Sequence, residues 1–155
     1  MLSELVADTQ NFLSQISDWR ELVGDTQPKA TNCGPVYELE TPNSSTRFGF
    51  AIADMRGTEI ASPHYHTNGE TEIYFVLEGS GHVVLGGKER VVKKGDVVVI
   101  PPDTAHFVYS IKGLVLAVVN QPSFNPKNCI DLAESDPAVK FDLEQYKLLT
   151  SSPQC

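Results

Sequence analysis

Basic residues are scarce in this 155-residue chain: Lys and Arg total 12 against 20 for Asp and Glu, a formal net charge of −8. An acidic surface repels phosphate backbones and anionic head groups, which argues against nucleic acid or a membrane surface as a partner. Short basic pairs such as Lys93-Lys94 are too small a patch to reverse that. No apolar run is long enough to span a bilayer. The opening MLSELVADTQ places Glu4 and Asp8 where a secretory signal needs a basic start and an apolar centre. Cysteine is limited to Cys33, Cys129 and Cys155, with no CxxC spacing, a pattern of reduced thiols in a cytoplasmic protein rather than a disulfide framework. No internal repeat or low-complexity tract stands out. What remains is 41% hydrophobic content in a length that suits one domain with a buried core.

The pattern of apolar residues changes once along the chain. Leu2, Leu5, Val6, Phe12, Leu13, Ile16 and Trp19 recur at three- and four-residue steps, which predicts a helix over 2–22. Residues 24–35 are rich in Gly, Pro, Thr and Asn and read as a linker, so 1–35 is a helix with its connection. From residue 36 the period becomes two. The runs VYELE, RFGFAIADM, EIYFVLEG, HVVLGGKERVV, GDVVVIPP, AHFVYSI and LVLAVVN are short strands bounded by turn residues. Gly86-Gly87 marks a hairpin, and VVVI, without polar alternation, predicts a strand buried on both faces. Regularly spaced strands over 36–120 indicate an all-β sandwich or barrel. The extension 121–155 carries Pro122, Pro126 and Pro137, then FDLEQYKLL at the spacing of a short helix.

Histidine is also sparse, four residues in all, and three of them stand at punctuated places. On a strand, His64 and His66 point to one face with Cα atoms roughly 6.5–7 Å apart, close enough for two nitrogens to share an ion at about 2.0–2.1 Å. Glu72, Tyr74 and Val76 share one face of the next strand, and Glu70 has the same parity, so either carboxylate is a candidate donor. His106 follows the Pro101-Pro102 break and the Asp103-Thr104 turn. An isolated HxH on an exposed strand usually coordinates nothing; this four-part set carries more weight. Histidines plus a carboxylate suit a divalent first-row ion. His82, after EGSG, reads as a surface or substrate-side residue.

These residues resemble the two motifs of the cupin superfamily. The first is GTEIASPHYHTNGETEIYFVLEG, Gly57 to Gly79, and the second is GDVVVIPPDTAHFVYS, Gly95 to Ser110. Two spacers in the first motif are one residue longer than the usual pattern, and in the second Asp103 and Ser110 stand where Gly and Asn are usual. Asp is tolerated in such a turn. The resemblance, over Phe48 to about Asn120, implies a small jelly-roll β-barrel with an ion in its wider mouth, held by His64, His66, Glu72 and His106. Counting back from Gly79 favours Glu72 over Glu70. The resemblance further implies one divalent transition metal (iron, manganese, zinc or nickel) and often a homodimer through edge strands.

The function implied is a metalloenzyme acting on a small molecule, of dioxygenase, isomerase or lyase type, with a non-catalytic metabolite-binding module as the alternative. Tyr74, Phe107, Val108, Tyr109 and Phe50 are candidates to line the pocket, Tyr74 and Val108 best placed by parity. Glu70, when not a ligand, is a candidate general base. A shared fold does not by itself choose among these reactions.

Overall fold

The computed structural model describes residues 18–25, 28–31, 34–38, 48–57, 59–110, 112–133, 135–139 and 144. The predicted helix over 2–22 lies mostly outside them. What is described is a short helix, α1 (Trp19–Asp25), opened by Asp18, whose Oδ1 accepts the N–H of Arg20 at 2.8 Å. The C-terminal helix predicted near 141–149 lies outside the described residues except for Glu144. No helix among the described residues is long and apolar enough to cross a membrane.

Eleven strands follow α1 among the described residues: β1 (Lys29–Thr31), β2 (Gly34–Glu38), β3 (Gly49–Met55), β4 (Glu59–Ile60), β5 (His64–His66), β6 (Thr71–Leu85), β7 (Lys88–Lys93), β8 (Val97–Ile100), β9 (His106–Ser110), β10 (Leu114–Gln121) and β11 (Cys129–Asp131). Every pairing is antiparallel, and the strands form one curled sheet in the order β1-β2-β3-β10-β6-β9-β5-β11. The sheet therefore reaches beyond 36–120 at both ends, through β1 and β11.

The 15-residue β6 joins the two halves of the sheet. Its first part pairs with β8 and β10, its second with β7 and β9. The change of partners falls at Gly79, which sits at φ +74°, and a Cβ there would lie 2.0 Å from the Gly113 carbonyl oxygen. Only glycine lets the two backbones approach so closely at that conformation. Gly86-Gly87 closes the β6–β7 hairpin beyond the Leu85↔Lys88 pair, as its sequence predicts.

Cross-strand partners define the inner face. Ala51, Val118, Tyr74 and Val98 form one row; Ala53, Leu116 and Val76 form the next; Asn120, Glu72 and Ile100 lie beyond the first. The outer face of the first half is apolar too, because α1 covers it. Trp19 and Val23 pack on Ile52, Val115 and Ala117, with Phe50, Tyr37 and Leu77 around them. An ion pair from Arg20 to Glu78 fastens α1 to β6.

The expectation that VVVI is buried on both faces is corrected by its position. Among the described residues β8 pairs only with β6, and its Val97 and Val99 are each 55% exposed beside Phe75. An unbroken apolar run marks a strand but does not distinguish a central strand from an edge.

Gly79→Ala forces a side chain into both a positive φ and a backbone oxygen, and should cost about 2–4 kcal/mol. Gly24→Ala in α1, where a Cβ meets nothing within 4 Å, serves as the control. Urea unfolding should show a lowered midpoint for the first variant only; equal midpoints would contradict the close contact at the corner of β6.

Candidate metal centre

Three strands and one turn assemble a cluster on the inner face. His64 and His66 alternate with Tyr65 on β5, so both imidazoles face inward, and both are buried. His64 stands directly opposite His106 of β9 in the ladder. The turn before His106 holds Asp103 at φ +56°, and its N–H donates to the His66 carbonyl at 2.8 Å. Asp in place of Gly thus keeps the turn, and the main-chain bond ties the turn to β5. On the other side Asn68 (φ 59°) and Gly69 (φ 72°) form a tight turn with Glu70 N–H to Thr67 O at 3.2 Å. That turn delivers the chain to β6 with Glu72 inward.

One donor atom each from His64, His66, Glu72 and His106 falls within 4.8 Å of the others. Glu72 Oε2 lies 2.9 Å from His106 Nε2 and 3.4 Å from His66 Nε2. Two donors bound at about 2.1 Å to one ion are at most about 4.2 Å apart, so small rotations bring the set to ligating distances. His64 Nδ1 and His106 Nδ1 hydrogen-bond the carbonyl oxygens of Ser62 at 2.7 Å and Thr104 at 2.8 Å, which directs each Nε2 inward. His66 has no hydrogen-bond partner on either ring nitrogen among the described residues although it is buried. Three imidazoles with centroids 4.3–5.2 Å apart around one carboxylate, two orphan nitrogens among them, fit a divalent cation.

The titration behaviour follows from this crowding. Burial first, then the neighbouring His106, lowers His64 to about 4. Burial also pulls His66 down, but the Glu72 and Glu70 carboxylates outweigh it and raise the imidazole above its ordinary value. For Glu72 burial favours the neutral acid, yet His106 and His66 hold it well below the usual carboxylate range. Glu70 is raised, chiefly by burial.

Glu70 stands beside the four residues of the cluster. It is fully buried, with Oε1 3.5 Å from His66 Nδ1 and accepting from Asn120 Nδ2 at 3.0 Å. Asn120 also donates to Glu72 Oε1 at 3.2 Å. Among the pocket candidates, Tyr74 shares the inner face with Glu72 and stands 6.4 Å from the His106 ring, and Val108 shares the face of His106. Phe107 and Tyr109 are buried on the opposite face of β9. Phe50 is a correction: it lies in the outer cluster under α1, because Ala51, Ala53 and Met55 are the inward residues of β3. His82 is away from the cluster, stacked on Tyr109 and bonded to Glu89 Oε1 at 2.8 Å.

Three residues near the cluster carry no motif. Asn120 was legible in principle, as the polar end of the apolar run LVLAVVN. Cys129, the cross-strand partner of His66, has its thiol pushed up to about 11 by burial and by Asp131, Glu72 and Glu70. Phe124 meets the His66 ring edge-on at 5.9 Å.

The cupin-domain family model matches residues 52–119. A protein of Aquifex aeolicus is 31% identical over 118 residues, covering 75% of this chain and 91% of its own length. Among solved structures, a protein from Planctomyces limnophilus is similar at TM-score 0.60 and 22% identity, over 69% of this chain and 90% of its own. Streptomyces Pac13, a nucleoside dehydratase also solved with uridine, is similar at TM-score 0.58 and 14% identity, over 74% and 92%. At such identities the structural likeness speaks for the fold.

His64 sets an acid limit on the metal-free protein. Its folded pKa lies below the unfolded value, so its stabilising share is complete above about pH 6.5 and lost as pH falls toward 4, up to about 3 kcal/mol. Glu72, also lowered, adds loss below its unfolded value of 4.5. His66, raised, works in the opposite sense: its share is present at low pH and lost as pH rises through its folded pKa. Denaturant unfolding from pH 7 to 4 should therefore show a shallower decline in His64→Gln than in the wild type. Parallel profiles would contradict a buried, neutral His64.

Proposed function

The chain belongs to the cupin superfamily, and on that premise we propose that it binds one divalent transition-metal ion through His64, His66, Glu72 and His106 and acts there on a small molecule. The observation that carries this reading is the buried convergence of three imidazoles and one carboxylate, with both His66 nitrogens unpartnered among the described residues. Four protein donors leave room for a small molecule at an ion that accepts five or six ligands. Bound there, a divalent ion would supply Lewis-acid polarisation of an oxygen on that molecule. The chain's own part is orientation: the Ser62 and Thr104 carbonyls fix two imidazoles, and Tyr74 and Val108 shape the inner wall next to them. Dioxygenase, isomerase and lyase chemistry are the classes considered, and the dehydratase activity of Pac13 falls in the last.

Protein purified without a histidine tag is expected to carry close to one transition-metal ion per chain, by elemental analysis. His64→Ala with His106→Ala should abolish it, and Glu72→Gln should weaken binding more than Glu70→Gln. Metal retained in the double variant would defeat the assignment. With iron, manganese, zinc or nickel supplied, a screen of hydroxy acids, sugars, nucleosides and aromatic diols should find turnover. The engagement of Glu70 Oε1 by the Asn120 amide favours the second reading of a metabolite-binding module. A ligand held tightly and never converted with any of these ions would establish that reading.

The same proposal has the chain paired as a cytoplasmic homodimer. Its support is the apolar patch of Phe75, Val97 and Val99 on the edge strand β8 and the strand beside it. Light scattering should give twice the chain mass for the wild type and half of that for a Val97→Lys, Val99→Lys double variant. A monomeric wild type would exclude this pairing.

A further inference from the structure

The three imidazoles of the cluster are not held alike. In His64 and His106 the Nδ1 atom meets a main-chain carbonyl two residues earlier, Ser62 O at 2.7 Å and Thr104 O at 2.8 Å. A neutral imidazole bonded that way carries its proton on Nδ1 and leaves the Nε2 lone pair pointing inward. His66 makes no such main-chain bond among the described residues, where both of its nitrogens are buried without a hydrogen-bond partner. The oxygen standing nearest to its Nδ1 among the charged groups is Glu70 Oε1, at 3.5 Å.

Glu70 is fully enclosed: Oε1 accepts from Asn120 Nδ2 at 3.0 Å, the Asn125 main-chain N–H also bears on the carboxylate, and Oε2 has no hydrogen-bond partner of its own among the described residues. Burial of two polar groups side by side, each with an unmet bond, is costly unless they serve each other. A closure of about half an ångström from the observed contact makes an ordinary N–H···O bond. Asn120 keeps the carboxylate in register with the site, because the same amide donates to Glu72 Oε1 at 3.2 Å.

We infer that Glu70 is the positioning residue of His66: it accepts the Nδ1 proton, fixes the tautomer and turns Nε2 toward Glu72 and the two other imidazoles. This gives Glu70 a role other than ligand or general base. It rests on the reading of the cluster as a metal centre only in what the positioned Nε2 is for. A carboxylate behind a ligating imidazole also makes that imidazole a stronger donor than a carbonyl does, so His66 is the ligand most dependent on its support.

The test is side-chain nitrogen NMR of His66 in 15N-labelled protein, metal-free at pH 9 and then with zinc, together with zinc titration by calorimetry. The His66 signals are identified by their loss in His66→Gln. The wild type should show a proton on Nδ1 and a bare Nε2 without metal. Glu70→Ala should give a mixture of tautomers and a zinc Kd raised about 10- to 100-fold. Glu70→Gln, which keeps the size and an acceptor oxygen, should fold, retain the Nδ1 tautomer and lose less affinity; it carries the test if the alanine variant does not fold. A variant that merely loses stability would lower the melting temperature and leave the tautomer unmoved, and that result overturns the inference. So does a bare Nδ1 in the wild type, or loss of zinc by Glu70→Gln as complete as by Glu72→Gln. A wild type that binds no zinc would refute the metal reading, while the metal-free tautomer still decides the role of Glu70.

Discussion

The ladder step that sets His64 opposite His106, across β5 and β9, is the constraint on which the rest of the site depends. One residue of slip would turn both imidazoles, and His66 with them, to the other face of the sheet. Several contacts guard the register. The Asp103 N–H clasps the His66 carbonyl, the His106 Nδ1 is tied to Thr104, and on the far edge β11 pairs residue by residue with β5. Glu72 comes from the other half of the sheet. It reaches the same point because β6 continues through the Gly79 corner and pairs with β9 further along. The corner and the histidine-bearing face are therefore parts of one arrangement, although they are separated along the strand.

Much of this arrangement was legible in the residues. The alternating runs marked the strands, HxH parity placed both imidazoles on one face, and the Pro-Pro-Asp-Thr break placed His106 at a strand start. Other features depend on packing that no local pattern carries. Val97 and Val99 read as central because an apolar run looks alike in the middle of a sheet and at its edge. Phe50 stood among the pocket candidates, but α1 covers the outer face, so Phe50 and Ile52 of β3 lie outside while Ala51, Ala53 and Met55 lie inside. Glu70 and Glu72 share a parity in the sequence. The strand begins only at Thr71, however, so Glu70 belongs to the turn, where its carboxylate faces His66 Nδ1 and shares the Asn120 amide with Glu72. β11 is three residues long and follows a proline-rich stretch, too short to show alternation.

The electrostatics of the cluster agree with a cation at its centre. Burial and mutual proximity work against protonating His64, while His66 and Glu72 are drawn toward opposite charges. A cation satisfies all of these groups at once, since each then presents a lone pair to it and none needs to be protonated. The acidic chain as a whole favours the same sign of guest. Asn120 emerges as the group that holds both carboxylates, reaching Glu70 and Glu72 through one amide nitrogen.

The most direct test of this account is X-ray absorption fine structure at the metal edge of the zinc-loaded protein. It should show nitrogen and oxygen neighbours at about 2.0–2.1 Å, with the multiple scattering of three imidazoles. A sulfur neighbour at about 2.3 Å, or a signal from fewer than three imidazoles, would contradict the assignment of His64, His66 and His106 with Glu72 as the metal centre.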